Sequence, residues 1–505
     1  MSEIRILLST DVHAYIYPYS YATGENKDHG YAKLAHTIRR FRDENTIVID
    51  NGDNLEGSPF AYFHFEKRRD QKNPFTKAMN MVGYDFFNLG NHDFNHGAGI
   101  LMDHINGLQM PCISANILYQ GKPLSKSYHL IRKADRTIAI FGVVTQYIPN
   151  WEKPENIEGF EFQDAFETAK EIVAKIREEE NADYIVGIYH GGFEKDPDSG
   201  IETEAQTKEN EAYRMCTEIE GLDILFTGHQ HREMTGILND TVYLQSAHEA
   251  RQLSCVLIDT ETGKIEPSLI NVDDVADQDF LDTFREEEDA CQQWLDTPLG
   301  SSNVDLSVPD EFDARLHKGQ VITFMNKACM DASGADISAT ALFLFAKGFN
   351  RQITMRDLVS TYVFPNTLVL KKVNGKIIRE YLERCAQFWD IEDGKIIVEK
   401  SCDFPTPQYH NYDMLDGVEY TIKVSDPVGE RIIELTRNGI PVKDDDEFTL
   451  CINNYRAAGG SGFGMLSSAK TIKDIQINVV EILADYIKKV QVIDFEPVNN
   501  IRVVI

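Results

Sequence analysis

The strongest constraint in this sequence is a series of five short polar blocks, each of which directly follows a run of apolar residues. The apolar runs have the length of buried strands, and amphipathic helical stretches such as 31–44 and 162–180 alternate with them. This alternation predicts an α/β sandwich or a doubly wound sheet over residues 1–275. The blocks read Asp-Val-His at 11–13, Gly-Asp-Asn at 52–54, Gly-Asn-His-Asp at 90–93, His-Gly-Gly at 190–192 and Gly-His-Gln-His at 228–231.

Loops at the carboxyl ends of strands in an α/β sheet meet in one crevice, so the five blocks can form a single site. Imidazole nitrogens and carboxylate oxygens suit borderline or hard divalent ions, and the blocks offer no thiolate. One such block alone is more often an ordinary turn, but five in this order after strands favour a binuclear metal centre. The candidate ligands are Asp11, His13, Asp53, Asn91, His190, His229 and His231.

A centre of this kind suits phosphoester hydrolysis. Two ions a few ångströms apart can activate a hydroxide, clamp phosphate oxygens and stabilise in-line displacement at phosphorus. The formal net charge of −31 repels polyanions, which argues against long nucleic acid as a partner. Bound ions are one source of the local positive charge that a phosphate substrate needs.

The blocks resemble the signature of the calcineurin-like metallophosphoesterases, and nearly the whole chain resembles the 5′-nucleotidase family. Within that family it is most similar to the 2′,3′-cyclic-nucleotide 2′-phosphodiesterase/3′-nucleotidase branch. The resemblance implies a four-layer αββα sandwich followed by an α+β substrate domain. It also implies two divalent ions, commonly manganese, zinc, cobalt or magnesium.

The resemblance further implies a role for each residue of the centre. His92 would contact the phosphate and protonate or stabilise the leaving oxygen. One ion would be held by Asp11, His13 and His231, the other by Asn91, His190 and His229, with Asp53 bridging them.

One position departs from the 5′-nucleotidase pattern. The stretch 90–95 usually ends there in Asp, which orients the catalytic histidine, whereas Asn95 stands in this chain. An Asn side chain would hold the His92 ring without supplying a charge that stabilises its protonated form. The cyclic-phosphodiesterase branch typically carries Asn here, so the change indicates that branch rather than a loss of activity.

The pattern of apolar runs and turn residues changes after an acidic segment. Residues 276–332 read as an acidic, helical linker, and residues 333–505 read as a separate α+β domain in which short strands alternate with Gly, Pro and Asn turns. Strands are predicted over Thr367–Val373, Tyr420–Val424 and Phe448–Ile452, and a helix over Ile378–Phe388.

Two aromatic blocks of this domain are candidates for binding a flat base. Most tyrosines are half-buried packing residues, but the stretches 410–414 and 453–460 resemble those that supply the base sandwich in the cyclic-phosphodiesterase branch. We therefore expect Tyr412 and Tyr455 to stack on the base. Asn454 and Gly459 would line the pocket, and Tyr362–Asn366 resembles a further block near it.

Two more departures from the 5′-nucleotidases bear on the substrate. The stretch that carries phosphate-binding arginines in those enzymes, 333–338 here, has none, so Arg356 is the remaining candidate. Ser461 replaces the Asp that usually holds the ribose hydroxyls. A cyclic phosphodiester has one charge and no free 2′,3′-diol, so it depends less on both features. The sequence thus favours hydrolysis of 2′,3′-cyclic nucleotides and 3′-nucleotides.

Three alternatives stay open at this point. A 5′-nucleotidase or UDP-sugar hydrolase would use the same metal centre. A nucleotide-binding sensor with an inactive centre would be indicated by the loss of a ligand, whereas all the ligand positions here carry competent side chains. A protein phosphatase fits the catalytic domain alone, but the aromatic blocks argue against it.

The cysteines and the amino terminus bear on the compartment. The 8 cysteines include no Cys-x-x-Cys pair, so we expect free thiols in a reducing compartment. The chain opens on a predicted strand, without a visible signal peptide or an apolar run of membrane-spanning length. These features predict a cytoplasmic protein, or an extracytoplasmic one if a leader was removed.

Overall fold

The computed structural model describes residues 3–203, 206–364, 366–403 and 407–505. The chain divides into two compact units, Met1–Cys291 and Gln292–Ile505. Each unit is built on its own sheets, and strands of both units alternate with helices. The predicted α/β class and the two-domain organisation are therefore confirmed. The predicted end of the first domain at residue 275, and the linker over 276–332, stay predictions.

Two mixed sheets form the first unit. The strands that carry the polar blocks are parallel neighbours within their sheets, so their carboxyl ends share an edge. The five-stranded sheet has the order Ile265–Asn271, Gln252–Asp259, Glu3–Ser9, Thr46–Asn51, Phe86–Asn88. The six-stranded sheet has the order Met234–Leu238, Thr241–Gln245, Ile224–Thr227, Tyr184–His190, Arg136–Val144, His129–Lys133. A small sheet contains Lys122–Pro123, Ile117–Tyr119 and Phe160–Phe162.

The core of the first unit lies between its two large sheets. Ile6 and Ile49 of the five-stranded sheet pack in one buried cluster with Ile140 and Ile188 of the six-stranded sheet. The apolar strands are hydrophobic on both faces because helices cover their outer sides as well. This layering is the αββα arrangement that the family resemblance implies.

Helices cover the outer face of each large sheet. Phe166 of the helix Ala165–Glu179 packs in a second buried cluster with Phe141, which points away from the inter-sheet core. The remaining α-helices of this unit are Tyr31–Phe41, Pro59–Lys67, Pro74–Val82, Ala98–Gly107 and Ala212–Glu218, and Gln278–Leu295 runs across the boundary between the units.

Local capping decides where these helices begin and end. The amphipathic pattern predicts a helix from residue 162, but the Asp164 side chain accepts a hydrogen bond from the Glu167 N–H and starts the helix at Ala165. Asn73 caps Pro74–Val82 in the same way, and Gly83 ends that helix in the left-handed conformation.

The second unit is built around a five-stranded sheet. Its strand order is Asp413–Asp416, Ile337–Ala341, Glu447–Asn453, Thr367–Asn374, Lys470–Asn478. A four-stranded sheet has the order Ile440–Pro441, Ile432–Arg437, Glu419–Lys423, Ile501–Val504. Its α-helices are Glu311–Leu316, Gln320–Ser333, Met355–Thr361, Gly375–Ala386, Asn454–Ala457, Gly464–Ser467 and Val479–Val490.

Short strands in the segment predicted as a linker pair within the second unit. Pro298–Ser302 lies between Gln352–Thr354 and Val492–Ile493 in a three-stranded sheet. Leu306–Ser307 pairs with Gly348–Phe349. The partners are distant along the chain, so the local sequence pattern does not disclose this pairing.

A buried ion pair holds the aromatic blocks of the second unit together. The Arg456 guanidinium donates from Nε to Asp413 Oδ2 at 2.6 Å, and the Tyr381 hydroxyl donates to the same oxygen at 2.7 Å. Arg456 also donates from Nη1 to the Gly460 carbonyl at 3.0 Å and from Nη2 to the His410 carbonyl at 2.7 Å. The guanidinium therefore links stretches 410–414 and 453–460, which are far apart in sequence.

Replacing Asp413 with Ala should destabilise the second unit strongly. The substitution leaves the buried Arg456 charge without a counter-charge, which costs about 3–5 kcal/mol of unfolding free energy. Urea titration followed by circular dichroism should show an earlier transition for D413A. The control is D485A, because that carboxylate is exposed and pairs with the exposed Lys488; its effect should stay within about 0.5 kcal/mol. Equal effects of the two substitutions would contradict the structural role of the pair.

Candidate metal centre

The polar blocks converge at the carboxyl ends of five strands, as the sequence predicts. Asp11 and His13 follow Glu3–Ser9, and Asp53 follows Thr46–Asn51. Asn91 follows Phe86–Asn88, His190 ends Tyr184–His190, and His229 and His231 follow Ile224–Thr227. Side chains from both large sheets thus meet at one place.

One donor group consists of Asp11, His13 and His231, whose ligand atoms lie within 4.8 Å of one another. The Nε2 atoms of His13 and His231 are 3.0 Å apart. His231 Nε2 lies 3.4 Å from Asp11 Oδ1. This group coincides with the three residues predicted to hold one ion.

A second donor group consists of Asp11, Asp53 and His190. His190 Nε2 lies 3.3 Å from Asp53 Oδ2 and 3.9 Å from Asp11 Oδ1. The Asn91 Oδ1 atom lies 3.2 Å from His190 Nε2 and 2.8 Å from His229 Nδ1. All seven predicted ligands therefore lie in one connected cluster. Asp11 belongs to both donor groups, whereas the bridging role of Asp53 stays a prediction.

The hydrogen bonds around the histidine rings fit a metal site. Three rings have a partner for the nitrogen that faces away from the cluster: the Glu56 carbonyl, 3.0 Å from His13 Nδ1, the Asn51 carbonyl at His190 Nδ1, and the Glu209 carboxylate, 3.1 Å from His229 Nε2. A proton held on that nitrogen leaves the lone pair of the other nitrogen for a cation. The donor set is imidazole, carboxylate and amide oxygen, which suits a divalent ion.

The charges of the donor side chains also favour a bound cation. Burial by itself would raise the pKa of Asp11 and Asp53, but neighbouring imidazoles, His190 first among them, hold both pKa values well below the usual range. Burial lowers the pKa of His190, yet the carboxylates of Asp53 and Asp11 raise it to about 10. Two buried carboxylates thus require positive charge beside them, which a divalent ion can supply.

Backbone strain is concentrated in the ligand loops. Asp11, His13, Asp53, His229 and His231 all have positive φ, between 51° and 67°. Residues other than glycine rarely adopt this conformation, which persists only where the surrounding structure determines it. The packing at the sheet edge therefore holds the donors in place before any ion binds.

The buried carboxylate of Asp93 joins two of these loops. It accepts N–H hydrogen bonds from Asp53 at 3.0 Å, from Asn54 at 2.8 Å and from Gly90 at 2.8 Å. The loops also touch directly, since a Cβ on Gly52 would lie 2.1 Å from the Gly90 nitrogen. Asp93 lies in the polar block 90–93, but its position in the sequence does not indicate this role.

His92 lies beside the donor groups, with its ring centroid 5.5 Å from that of His13. The backbone N–H of His92 donates to Asp53 Oδ1 at 2.7 Å, and the ring nitrogen Nδ1 lies 2.8 Å from Asn95 Oδ1. Burial lowers the pKa of His92, but the charge of Asp53 and the hydrogen bond of Asn95 raise it overall. Asn95 holds the ring as predicted, and its amide nitrogen in turn donates to the Glu152 carboxylate.

Three residues that support the ligand rings are absent from the sequence-based prediction. Trp151 stacks on His229 at a centroid distance of 5.4 Å, and His248 stacks on His231 at 4.4 Å. Glu209 is the third. They lie in irregular segments outside the polar blocks, so no motif or spacing in the sequence points to them.

The structure contradicts the predicted stacking role of Tyr412. Its side chain is fully buried, and its ring stacks on Phe388 at a centroid distance of 4.9 Å with an angle of 18°. Trp389 packs edge-on at 5.2 Å. A ring whose face is already covered by core residues has no surface for a base, so Tyr412 is a packing residue.

The block 453–460 is more accessible. Tyr455 is half-buried, and its hydroxyl lies 3.0 Å from Ser461 Oγ. A Cβ on Gly460 would lie 2.5 Å from the Tyr455 ring, so this position must be glycine for the ring to pack there. Gly459 has φ of 92° in the turn before it. The Asn454 side chain accepts the Thr367 N–H at 3.0 Å and so fixes the loop to the neighbouring strand.

Arg356 does not lie in the predicted setting. It forms an ion pair with Asp296 at 2.8 Å and donates to Gln292 Oε1 at 2.7 Å. Asp296 supplies a counter-charge and Gln292 accepts a further N–H, so the prediction that Arg356 holds a substrate phosphate is not supported by its contacts.

Other aromatic rings are exposed at the edge of the five-stranded sheet of the second unit where Tyr455 lies. Phe345 follows Ile337–Ala341, the parallel neighbour of Glu447–Asn453, and is 74% exposed. Phe364 precedes the antiparallel neighbour Thr367–Asn374 and is 41% exposed. Phe364 belongs to the block Tyr362–Asn366, whose Pro365 lies outside the described residues, whereas no sequence signal singles out Phe345.

Comparison with known families agrees with this arrangement. The profile of the calcineurin-like phosphoesterases matches residues 4–233. The profile of the 5′-nucleotidase C-terminal domain matches residues 298–468.

Among the described residues, the helices are too short or too polar to span a lipid bilayer. All eight cysteines are free thiols, as predicted.

Proteins similar to this chain include longer proteins and one solved structure that matches over the whole of both chains. The trifunctional nucleotide phosphoesterase protein YfkN of Bacillus subtilis is 26% identical over 99% of this chain, which spans only 38% of YfkN. A 2′,3′-cyclic-nucleotide 2′-phosphodiesterase/3′-nucleotidase of Salmonella typhimurium is 28% identical over 92% of this chain and 82% of its own length. A solved structure, a candidate 5′-nucleotidase of Staphylococcus aureus in complex with alpha-ketoglutarate, has a TM-score of 0.93 at 33% identity, with 100% of both chains covered.

Replacing Asp93 with Asn should weaken metal binding without changing any ligand. The amide nitrogen cannot accept a hydrogen bond, so one or more buried N–H groups of the loops lose their partner, at about 1–3 kcal/mol each. Isothermal titration with Mn²⁺ should show lower affinity, and thermal melting a lower Tm. The comparison variant is D103N, which changes a carboxylate on the exposed side of the helix Ala98–Gly107. Unchanged Mn²⁺ affinity of D93N would contradict the role of Asp93.

Proposed function

We propose a specific reaction for this chain, which belongs to the calcineurin-like phosphoesterases and carries the 5′-nucleotidase C-terminal domain. It hydrolyses nucleotide phosphoesters, with 2′,3′-cyclic nucleotides and then 3′-nucleotides as its substrates. The observation that carries the proposal is a cluster of seven donor side chains: two groups of three that share Asp11, with Asn91 and His229 joined to them through His190. Such a cluster suits two cations a few ångströms apart, the arrangement used for in-line displacement at phosphorus.

The residue roles follow from the donor groups. Asp11, His13 and His231 would hold one ion, Asn91, His190 and His229 would hold the other, and Asp53 would be shared between the two. When bound, two divalent ions would place positive charge against the phosphate oxygens and acidify water at the site. Manganese, zinc, cobalt and magnesium all accept these donor types.

His92 acts on the leaving group in this proposal. Its ring lies beside the first donor group, and its backbone N–H is fixed by Asp53. With Nδ1 bonded to Asn95, the other ring nitrogen is left for the substrate. Hydrolysis adds water across the P–O bond: the water oxygen joins phosphorus, and the released ribose oxygen takes a proton from His92.

The substrate preference has support from what the second unit lacks. Asp336, in the stretch where 5′-nucleotidases carry arginines, pairs with Arg437 and accepts the Thr449 N–H at 2.9 Å, which is a structural use of that stretch. Ser461, in place of the expected Asp, is engaged with the Tyr455 hydroxyl. Several curated relatives are named cyclic-nucleotide phosphodiesterases with 3′-nucleotidase activity.

The base is held by aromatic rings of the second unit. Since Tyr412 is buried, the rings at the sheet edge that can take this role are Tyr455, Phe364 and Phe345. Base–aromatic stacking tolerates different bases because every base has a flat π-face. We therefore expect little discrimination between adenine and pyrimidine substrates.

A substrate panel on the purified full chain with added Mn²⁺ tests the proposed reaction. The panel compares 2′,3′-cyclic AMP, 3′-AMP, 5′-AMP and a UDP-sugar, with products separated by chromatography. We expect 2′,3′-cyclic AMP to yield 3′-AMP and then adenosine, and we expect 5′-AMP to react more slowly. The control D53A should lose activity and bound manganese together. Faster hydrolysis of 5′-AMP or of the UDP-sugar would refute the substrate assignment.

The stacking rings should separate binding from chemistry. Y455A and F364A should raise KM by roughly tenfold, from the loss of about 1–3 kcal/mol of stacking, with kcat close to that of the parent enzyme. Y412A should instead lower Tm, because it opens a cavity in the core. An unaltered KM in both Y455A and F364A would remove the basis for base stacking at this edge.

A further inference from the structure

We propose that Glu152 is a positioning residue that fixes the direction of the Asn95 amide and, through it, the hydrogen placement on His92. The inference rests on the proposed role of His92. The sequence suggests a hydrogen-bonded chain behind His92 that ends at a neutral Asn, but in the structure this chain continues to the Glu152 carboxylate. The three side chains form one chain of hydrogen bonds in the first unit, running from His92 through Asn95 to Glu152.

An Asn side chain alone does not determine its own direction. Its carbonyl and amino ends have nearly the same shape, but one accepts and the other donates a hydrogen bond. An ionised carboxylate only accepts. Glu152 therefore takes the amino end of Asn95 and leaves Oδ1 for His92 Nδ1, which lies 2.8 Å away.

The direction of the amide decides what His92 can do. With Oδ1 against Nδ1, that nitrogen carries a hydrogen, and both ring nitrogens can be protonated at the same time. With the amide reversed, its amino group would face Nδ1 and exclude a hydrogen there. The ring would then carry a hydrogen only on its other nitrogen and would be neutral. A neutral imidazole does not readily give up that hydrogen, so the leaving oxygen would lose its proton donor.

Glu152 is itself held by its other carboxylate oxygen. Oε1 accepts the Lys153 N–H at 2.7 Å and the Asn156 amino group at 2.8 Å. The Asn156 side chain also donates to the backbone carbonyl of Asn95 at 2.8 Å and so fixes the main chain at that residue. Oε2 is thereby left for Asn95.

These contacts predict the effect of the substitution E152Q. Two N–H groups point at Oε1, so the new side chain would place its carbonyl there and turn its amino group toward Asn95. Asn95 would then have to offer Oδ1 to that amino group and its own amino end to His92. E152Q is therefore expected to reverse the Asn95 amide, although it changes no shape and no ligand of the metal centre.

The reciprocal exchange should repair the defect. In the N95D/E152Q double variant, the carboxylate introduced at position 95 accepts hydrogen bonds both from the amide introduced at position 152 and from His92 Nδ1. The hydrogen on that nitrogen is thereby restored. N95D alone would place two carboxylates against each other and is expected to be impaired. A pairwise exchange that recovers activity separates a coupled pair from two independent structural defects.

The test measures kcat and KM of the full-length Mn²⁺ enzyme on 3′-AMP and on bis(p-nitrophenyl) phosphate, whose leaving group needs no proton. E152Q should lower kcat on 3′-AMP about 10–100-fold, a partial loss of the roughly 10²–10⁴-fold that general acid catalysis contributes, with little change on the activated substrate and little change in KM. The double variant should recover most of the loss. The matched control is E155Q, which replaces an exposed carboxylate nearby and should leave kcat and KM equal to those of the parent enzyme.

The outcomes separate the two claims. If H92A loses equally on both substrates, the proposed role of His92 fails. If H92A shows the leaving-group difference but E152Q loses equally on both substrates, or the double variant is no better than N95D, the role of Glu152 is overturned. Should E152Q prove unstable in thermal melting, the comparison of N95D with the double variant decides the question.

Discussion

The candidate metal centre depends on one buried carboxylate that lies outside both donor groups. Asp93 accepts backbone N–H groups from the loop that carries Asp53 and from Gly90, just before Asn91. Burial and the nearby Asp53 charge raise the pKa of Asp93, and these N–H donors oppose that rise. Because the hydrogen bonds join two loops from adjacent strands, the distance between their ligands is set by the backbone rather than by an ion.

The same principle applies to the histidines of the site, which are held by groups behind their rings. Carbonyl or carboxylate groups hold the outward nitrogens of His13, His190 and His229, and aromatic rings stack on two of the ligand histidines. The positive φ values of five ligands show that the strain of these turns is offset by the surrounding packing. A site organised in this way loses little conformational entropy when cations bind.

The second unit shows where a resemblance between short blocks misleads. The stretch 410–414 resembles a block that presents its tyrosine to a base, yet the part of it that organises the loops is Asp413, through its buried pair with Arg456. Tyr412 faces the core because it precedes the central-sheet strand Asp413–Asp416 and packs on Phe388 and Trp389. The accessible rings at this edge come instead from Tyr455, Phe364 and Phe345.

The sequence by itself determined the α/β class, the order of strands and polar blocks, and the seven candidate donors, because a strand followed at once by His, Asp or Asn is a local pattern. It did not determine the partners of those donors. Asp93, Glu209, Trp151, His248 and Glu152 act through contacts with residues that are distant in sequence or hidden in irregular loops. Only the tertiary structure decided these, and it also decided that Tyr412 is buried and that Arg356 is paired with Asp296. Burial and pairing depend on which elements meet in space, and a local sequence pattern does not specify that.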